Sequence, residues 1–189
     1  NTYLQNTFYN KLGATTTTYN PLTKFEKSEI APTERDNFLR KQLLQGYVDD
    51  EGAAFLGGIS GNAGLFSNAN DLAKLYQMWL NGGVYGGEEY LKKSTVNLFT
   101  LTKSPSSRRG LGFDKPDPIN SRKSPTSPST PVSVYGHTGF TGTCFWVDPD
   151  NNLIYIFLSN RVNESRTHKN LMSLNIRPRI QEVIYNAIK

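Results

Sequence analysis

The sequence has little of the chemistry on which disulfides and metal centres depend. Cys144 is the one cysteine among 189 residues, so an intrachain disulfide and a cysteine zinc site are both excluded. The two histidines, His137 and His168, are far apart in the sequence, and we therefore expect no metal site and no cofactor. Long apolar runs are also missing, since none approaches the roughly 20 residues that a membrane-spanning helix needs. The opening residues Asn1-Thr2-Tyr3 show no signal-peptide pattern. These absences predict a globular protein without a membrane span.

Size and charge are those of an ordinary globular domain. The chain is long enough to bury a sizeable core, and 37% of its residues are hydrophobic. A net charge of +5 is modest, and scattered surface charge explains it more simply than an anionic partner does. Serine and proline are concentrated between Lys103 and Pro131, and we predict a surface loop over 115–130 because proline suppresses regular structure. The basic stretch Lys103–Lys123 leaves nucleic-acid binding open as an alternative. The loop has no aromatic residues for base stacking, however, so no nucleic-acid partner is expected.

Two apolar runs predict a β-hairpin. Thr143–Val147 is aromatic and β-branched, and Leu153–Leu158 is almost continuously apolar. Between them, residues 148–152 are Asp-Pro-Asp-Asn-Asn, which favour tight turns. Because the second run does not alternate, we predict that it is a central strand buried on both faces. Pro178–Ile188 has a proline suited to the first turn of a helix and one apolar face, and we predict that it packs on the sheet.

Helical spacing and end signals predict further elements. Ser67 or Asn68 can cap a helix in which Leu72 to Leu80 share one apolar face, and Gly82-Gly83 can end it. Weaker patterns predict helices over Asn1–Leu12, Asn37–Tyr47 and Glu88–Thr102, and a strand beginning in 108–113.

Glycine recurs in the segment that precedes the hairpin. Gly136, Gly139 and Gly142 leave one strand end bare of bulky side chains, so that a ligand or another backbone can approach closely. Within this segment, His137-Thr138-Gly139 resembles the third conserved motif of the serine β-lactamase and penicillin-binding-protein superfamily. In that superfamily a Lys-Thr-Gly or His-Thr-Gly lies on an edge strand beside the nucleophile. Without that resemblance, the tripeptide is a glycine-rich loop entering a strand, with His137 at the surface.

The resemblance extends over most of the chain. The further segments that carry it are Gly64–Ala73, Gly110–Phe113, Val147–Pro149 and Leu158–Arg161. The chain is most similar to the class C-like serine-hydrolase module found downstream of family-3 glycoside hydrolases, which are N-acetylglucosaminidase-like proteins of the bacterial envelope. The features shared with that subgroup are Ile30–Glu34, Gly57–Gly61 and the helix at Ile176-Arg177. The resemblance implies an α+β fold, an α/β sandwich with an antiparallel sheet flanked by helices. It also implies a location in the bacterial periplasm or cell envelope.

Two motifs of that family are missing from this chain. In the family the nucleophile is the serine of a Ser-x-x-Lys helix, and a Tyr-x-Asn motif supplies a tyrosine for proton transfer. No serine here has a lysine three residues on, and no tyrosine has an asparagine two residues on. The resemblance therefore implies that residues 1–189 are the second half of the domain, and that the chain alone is inactive. Asp49 and Asn62 stand where related modules often carry histidine, so any role of those histidines is not transferred.

The resemblance assigns this chain the substrate-facing side of the site. His137 would face the substrate, and Thr138 could donate its hydroxyl to a substrate carboxylate or carbonyl. The N–H of Phe140, directly after Gly139, would form half of an oxyanion hole. The glycine-rich segment before the capped helix is expected to contribute a cleft loop with Ser60, Gly61 and Asn62.

Three functions stay open on the sequence. The first is part of a serine hydrolase that acts on peptide, amide or ester bonds, such as those of peptidoglycan stems or β-lactam-like compounds. The second is a non-catalytic scaffold or binding module beside a cell-wall glycosidase, and the third is a basic nucleic-acid-binding domain. The expected partner is the missing first half of the domain or another copy of the chain, with a peptide, cell-wall or β-lactam-like ligand. An exposed apolar face should accompany a missing half.

Overall fold

The structure is a computed structural model that describes residues 1–102, 106–120 and 123–188. The helices are α1 (Thr2–Leu4), α2 (Glu51–Phe55), α3 (Ala69–Leu80), α4 (Lys93–Thr100), α5 (Asn170–Ser173) and α6 (Ile176–Ala187). The strands are β1 (Thr18–Tyr19), β2 (Pro32–Asp36), β3 (Gln42–Gln45), β4 (Leu65–Phe66), β5 (Val84–Tyr85), β6 (Glu88–Glu89), β7 (Tyr135–Thr138), β8 (Cys144–Asp148) and β9 (Leu153–Phe157). Gln5–Tyr9 continues α1 as a π-helical segment, so the predicted N-terminal helix is confirmed with altered geometry. Single 3₁₀ turns follow at Pro21–Thr23 and Lys27–Glu29.

The largest sheet of the described residues has the order β7-β8-β9, and both pairs are antiparallel. This confirms the predicted hairpin, in which Trp146 pairs with Tyr155. The central strand is β8, however, and its Trp146 and Val147 are buried. In β9 only Tyr155 is buried, because no described strand covers the outer edge. The prediction that Leu153–Leu158 is a central strand is therefore wrong. A continuous apolar run indicates a strand but does not give its place in the sheet.

Helices cover both faces of this sheet, as the predicted α/β sandwich requires. On one face Tyr76 of α3 stacks on Phe145, with ring centroids 3.8 Å apart. Successive side chains of a strand point to opposite faces, so Trp146 lies on the other face, where Ile184 of α6 packs against its cluster. The Tyr155 hydroxyl donates to the carbonyl oxygen of Arg177 over 3.2 Å. The predicted packing of the C-terminal helix on the sheet is confirmed.

Helix α3 begins and ends as its sequence predicts. The Asn68 side chain accepts the N–H of Asp71 over 2.9 Å, and Gly82 and Gly83 follow the last turn with positive φ angles of 69° and 102°. Asp71 also accepts the backbone N–H and the hydroxyl of Thr16, each over 2.7 Å. This carboxylate therefore ties the segment after the N-terminal helix to the start of α3.

The predicted helix over Asn37–Tyr47 is wrong, because this segment contains strand β3. The Asp36 carboxylate accepts the N–H groups of Phe38, Leu39 and Arg40 at 2.8, 2.9 and 3.0 Å. These bonds fix a turn, and the chain then returns as β3 to pair with β2. A side chain that bonds nearby backbone N–H groups competes with helix formation in this way.

Two further predictions need correction. Residues 108–113, where we expect a strand to begin, have irregular structure. Next to them, Asp114 forms a single β-bridge with Gly136 of the sheet. The helix expected over Glu88–Thr102 is confined to Lys93–Thr100, because Glu88 and Glu89 form β6 against β5.

The described part of the serine- and proline-rich segment forms no α-helix or β-strand, as expected of a loop, but it is less exposed than a surface loop. Residues 121–122 lie outside the described residues, but in the described remainder of 115–130 five residues are buried, namely Lys115, Pro116, Thr126, Ser127 and Thr130. The Ser127 N–H donates to the side chain of Gln181 over 3.0 Å, so this segment covers α6. Gln181 is therefore buried, whereas Val183 of the predicted apolar face is 68% exposed. Among the described helices, none is long and apolar enough to cross a bilayer.

Candidate active site

Strand β7 carries the predicted motif to the edge of the sheet at a place where only glycine fits. A Cβ on Gly136 would lie 2.0 Å from the carbonyl oxygen of Phe145 and 2.6 Å from the ring of Trp146. Gly136 exchanges backbone hydrogen bonds with Asp114 on the outer side, at 2.7 and 3.0 Å. Backbone groups alternate in direction along an antiparallel strand, so the N–H and C=O of Thr138 also point away from β8.

A tight turn over residues 139–143 joins β7 to β8. The Gly139 N–H donates to the Thr143 carbonyl over 2.8 Å, and the Gly142 N–H donates to the Gly139 carbonyl over 3.1 Å. The backbone N–H of Arg161 donates to the Thr141 carbonyl over 2.8 Å, which ties the turn to the segment after β9. The Phe140 N–H has no acceptor among the described residues, and the Phe140 side chain is 57% exposed. The turn therefore presents an unpaired amide donor at the surface.

The two side chains before the turn have complementary hydrogen-bonding capacity. His137 Nδ1 lies 2.8 Å from the carbonyl oxygen of Thr138. Since a carbonyl oxygen only accepts, Nδ1 donates in this contact, and Nε2 has no hydrogen-bond partner among the described residues. The Thr138 hydroxyl has no hydrogen-bond partner in the described part of the chain, and both side chains are half-buried. The strand end thus offers an imidazole nitrogen, a hydroxyl and a backbone N–H.

Two arginines flank the Phe140 ring. The guanidinium carbon of Arg161 lies 4.7 Å from the ring centroid, and that of Arg166 lies 5.9 Å from it. Arg166 is bonded to Glu34 of β2, with Nε 3.0 Å from Oε2, and its Nη2 lies 2.8 Å from Glu51 of α2. Hydrogen bonds with these two carboxylates raise the pKa of Arg166 above its ordinary value. The segment after β9, β2 and α2 therefore converge beside the predicted oxyanion amide.

The predicted cleft loop forms its own hydrogen-bonded unit. The Ser60 hydroxyl donates to the Asn62 side chain over 2.5 Å, and Asn62 Nδ2 donates to Asp50 over 3.3 Å. Gly61 lies between them, and a Cβ there would meet nothing within 4 Å. No hydrogen bond or ion pair between described residues joins 60–62 directly to 137–140. The connection is indirect, through the start of α2, where Glu51 binds Arg166.

Asp49 directly precedes Asp50 of this unit, and its carboxyl is an acid with a raised pKa. Burial, and next the nearby Glu34 carboxylate, raise the pKa of Asp49 to about 6. Its Oδ1 is buried and has no hydrogen-bond partner among the described atoms. Local spacing does not reveal this contact, because the β2–β3 hairpin brings Glu34 close to Asp49.

Sequence reasoning also missed the basic side chains around the turn. Arg161, Arg166 and Arg177 contact it from segments that no short motif links to His137-Thr138-Gly139. The basic stretch Lys103–Lys123, which lies partly outside the described residues, shows no such convergence. Its Arg108 and Arg109 both contact Asp114, at 2.7 and 3.4 Å. Within the described ranges, no group of three or more histidine, cysteine or acidic residues is placed to hold a metal ion.

Comparisons with known proteins agree with this geometry. The Beta-lactamase family profile matches residues 1–174. A protein of Escherichia coli described as "Putative D-alanyl-D-alanine carboxypeptidase" is 40% identical over 176 residues, which cover 84% of this chain and 39% of that protein. A protein of the same description from Salmonella gallinarum is also 40% identical, with the same coverage.

The fold has a similar relative among solved structures. A β-lactamase from Mycobacterium bovis has a TM-score of 0.64 and 18% sequence identity, covering 99% of this chain and 56% of that one. The chain spans 39% of the length of the curated relatives named above. The family match over residues 1–174, together with the sandwich fold, shows that this chain belongs to the β-lactamase family.

Proposed function

We propose that residues 1–189 form the substrate-facing part of a serine hydrolase that cleaves amide or ester bonds, with the D-alanyl-D-alanine end of peptidoglycan stem peptides as the substrate class. The observation that carries this proposal is the unpaired N–H of Phe140, which follows a half-buried threonine whose hydroxyl is also unpaired among the described residues. Acyl transfer builds negative charge on the carbonyl oxygen of the substrate, and a preorganised backbone N–H stabilises that charge.

Each group at the strand end has a place in this reaction. The Phe140 N–H donates to the developing oxyanion, and in hydrolases the loss of one such donor costs on the order of 3 kcal/mol. The Thr138 hydroxyl donates to a carboxylate or carbonyl of the substrate. His137 Nε2, which has no hydrogen-bond partner among the described residues, exchanges a hydrogen bond or a proton with the substrate side.

The nucleophile and its base lie, in this proposal, in a part of the polypeptide outside these 189 residues. A serine hydroxyl needs a neighbouring base to become a good nucleophile, and Ser-x-x-Lys and Tyr-x-Asn are both absent here. The two serines near the glycine-rich segment have other partners. Ser60 donates to Asn62, and the Ser67 hydroxyl lies 2.7 Å from that of Thr17. We therefore expect no hydrolysis by this chain alone.

An unpaired strand edge and an apolar groove support the proposal that another part of the domain packs against this one. The outer edge of β9 is unpaired among the described strands. A groove of about 300 Å³ lies between the N-terminal helix, α3 and α4, lined chiefly by Leu4, Phe8, Leu75, Trp79, Leu91 and Phe99. We propose the first half of the same domain as their partner, with a second copy of the chain as the alternative. The substrate class places the protein in the bacterial periplasm or cell envelope.

A scaffold role beside a family-3 glycoside hydrolase is the second candidate. Absence of both nucleophile motifs from the rest of the full-length polypeptide, as well as from residues 1–189, would favour it. The two candidates differ in one respect, because only the hydrolase forms a covalent acyl-enzyme with its substrate.

The test uses the full-length polypeptide that contains these residues. We expect it to release D-alanine from an acylated D-alanyl-D-alanine peptide. Thr138→Val should lower kcat/KM by about 10- to 100-fold, the cost of one hydrogen bond to a charged group. The matched control is Thr15→Val, because Thr15 is exposed, its hydroxyl makes no hydrogen bond to the described residues, and it lies outside both the strand end and the apolar groove. Absence of both D-alanine release and acylation in the unmodified protein would overturn the hydrolase and leave the scaffold.

A further inference from the structure

Arg177 lies behind the turn that carries the Phe140 amide. Its Nη1 is 2.9 Å from the carbonyl oxygen of Thr143, 3.4 Å from that of Gly142 and 3.5 Å from that of Gly139. The side chain is half-buried, and no described carboxylate forms an ion pair with it. The backbone of Arg177 is itself held, because its carbonyl accepts the Tyr155 hydroxyl over 3.2 Å. A cation is therefore fixed against three carbonyl oxygens of one turn.

The Gly139 carbonyl and the Phe140 N–H belong to the same peptide unit. This unit is planar and trans, so its C=O and its N–H point in opposite directions. Two donors approach the carbonyl side, the Gly142 N–H at 3.1 Å and, more distantly, Arg177 Nη1 at 3.5 Å. The shorter bond from Arg177 to the Thr143 carbonyl holds the oxygen that also accepts the Gly139 N–H. Contacts on the carbonyl side thus fix the direction in which the Phe140 N–H points.

We propose that Arg177 is a positioning residue for the oxyanion hole, acting through the Gly139–Phe140 peptide unit. This inference rests on the proposed hydrolase function. The guanidinium fixes the plane of the peptide and, as a positive charge on its carbonyl side, polarises it so that the N–H becomes a stronger donor. The N–H is then oriented before the oxyanion forms, which is the condition under which such donors accelerate acyl transfer. Arg161 differs, since its side chain lies over the Phe140 ring and not beside the peptide.

The kinetic test compares Arg177→Ala and Arg177→Lys in the full-length protein. We expect Arg177→Ala to lower kcat by about 10- to 100-fold, less than the loss of the donor itself, with KM changed by less than about twofold. The affinity for an arylboronic acid, whose tetrahedral serine adduct places an oxygen in the oxyanion hole, should fall by a similar factor. Arg177→Lys keeps one charged donor and should recover part of both.

The matched control is Arg179→Ala, on the same helix. Arg179 is exposed, and its side chain has no hydrogen bond or ion pair with described residues. Arg179→Ala should leave kcat, boronate affinity and thermal stability unchanged. An Arg177→Ala protein that is folded and keeps kcat and boronate affinity within twofold of the parent would overturn the proposal. Losses of kcat and boronate affinity that are fully explained by a smaller folded fraction would also overturn it. If Arg177→Ala does not fold, the same comparison is made with Arg177→Lys.

A second readout does not depend on catalysis. In the 189-residue chain, the ¹H–¹⁵N resonance of Phe140 reports directly on its amide. We expect Arg177→Ala and Arg177→Lys to shift this resonance and to speed exchange of its proton, while Arg179→Ala does neither. An unchanged Phe140 amide would overturn the inference whatever the enzyme does. If the amide responds but the full-length protein neither forms an acyl-enzyme nor binds the boronate, the hydrolase function fails while the positioning of the amide stands.

Discussion

Removal of the Tyr185 hydroxyl tests how helix α6 is held to the sheet. This hydroxyl donates to Asp148 Oδ2 over 2.6 Å, and the two residues are 4% and 1% exposed. Tyr185→Phe keeps the ring and removes one hydrogen bond to a charged group, which is worth about 1.5–3 kcal/mol. Asp148 retains the N–H groups of Asp150 and Asn151 and the side-chain amide of Asn151, so its carboxylate is not left unsatisfied. We therefore expect a loss of about 2 kcal/mol, or about 4–8 °C in Tm for a chain of this size.

The assay is urea unfolding of the 189-residue chain, followed by circular dichroism. Tyr3→Phe is the matched control, because Tyr3 is 72% exposed and makes no hydrogen bond to the described residues through its side chain. The control should unfold at the same urea concentration as the parent protein. If Tyr185→Phe loses less than about 0.5 kcal/mol, the buried bond between α6 and the end of β8 does not exist in solution.

Two further predictions concern the strand that carries the site and the acid beside it. Gly136→Ala should destabilise the chain by about 3 kcal/mol or more, because the new Cβ would overlap the Phe145 carbonyl oxygen and push β7 away from β8. The control is Gly61→Ala, which should cost almost nothing because its Cβ would meet nothing within 4 Å. Equal Tm values for the two variants would refute the close approach of β7 to β8. The pKa of Asp49 is raised from 3.8 to about 6 in the folded protein. Between these two pH values the folded protein binds more protons than the unfolded chain, so its stability should fall as the pH rises from about 4 to about 6. Asp49→Asn should therefore be more stable than the parent at pH 7 by about 1–2 kcal/mol, a value reduced to allow for screening by solvent. This difference in stability should disappear near pH 3.5. A difference that does not change with pH would contradict the burial of this carboxyl.

Local sequence determined the elements that were predicted correctly. The turn residues 148–152 separate two β-branched and aromatic runs, and the hairpin follows from them. Asn68 and Gly82 lie at the two ends of an amphipathic segment, and α3 follows. In each case the residues that define the element are neighbours in the chain, so its formation needs little help from the rest of the fold.

The errors come from local side-chain bonds that periodicity does not reveal and from contacts between distant segments. The Asp36 carboxylate organises a turn where a helix was expected, and Gln181 bonds Ser127, 54 residues away, so that the buried face of α6 is partly polar. Nothing in the short-range pattern of Leu153–Leu158 distinguishes an edge strand from a central one.

The candidate site divides in the same way. His137-Thr138-Gly139 and the Phe140 amide were found from a motif of adjacent residues. Arg166 is brought to Glu34 across 132 residues, and Arg177 reaches the turn from a helix 34 residues later than Thr143. These supporting contacts follow from the sandwich packing of α6 and the segment after β9, and packing of that kind is not visible in spacing.

The proposed hydrolase function depends most directly on where the nucleophile lies. We would treat the full-length polypeptide and the 189-residue chain in parallel with a serine-directed fluorophosphonate, and locate the adduct by mass spectrometry. We expect stoichiometric labelling of one serine outside residues 1–189 in the full-length protein, blocked by a β-lactam, and no labelling of the shorter chain. Stoichiometric labelling of a serine within residues 1–189, abolished when that serine is replaced by alanine, would contradict it.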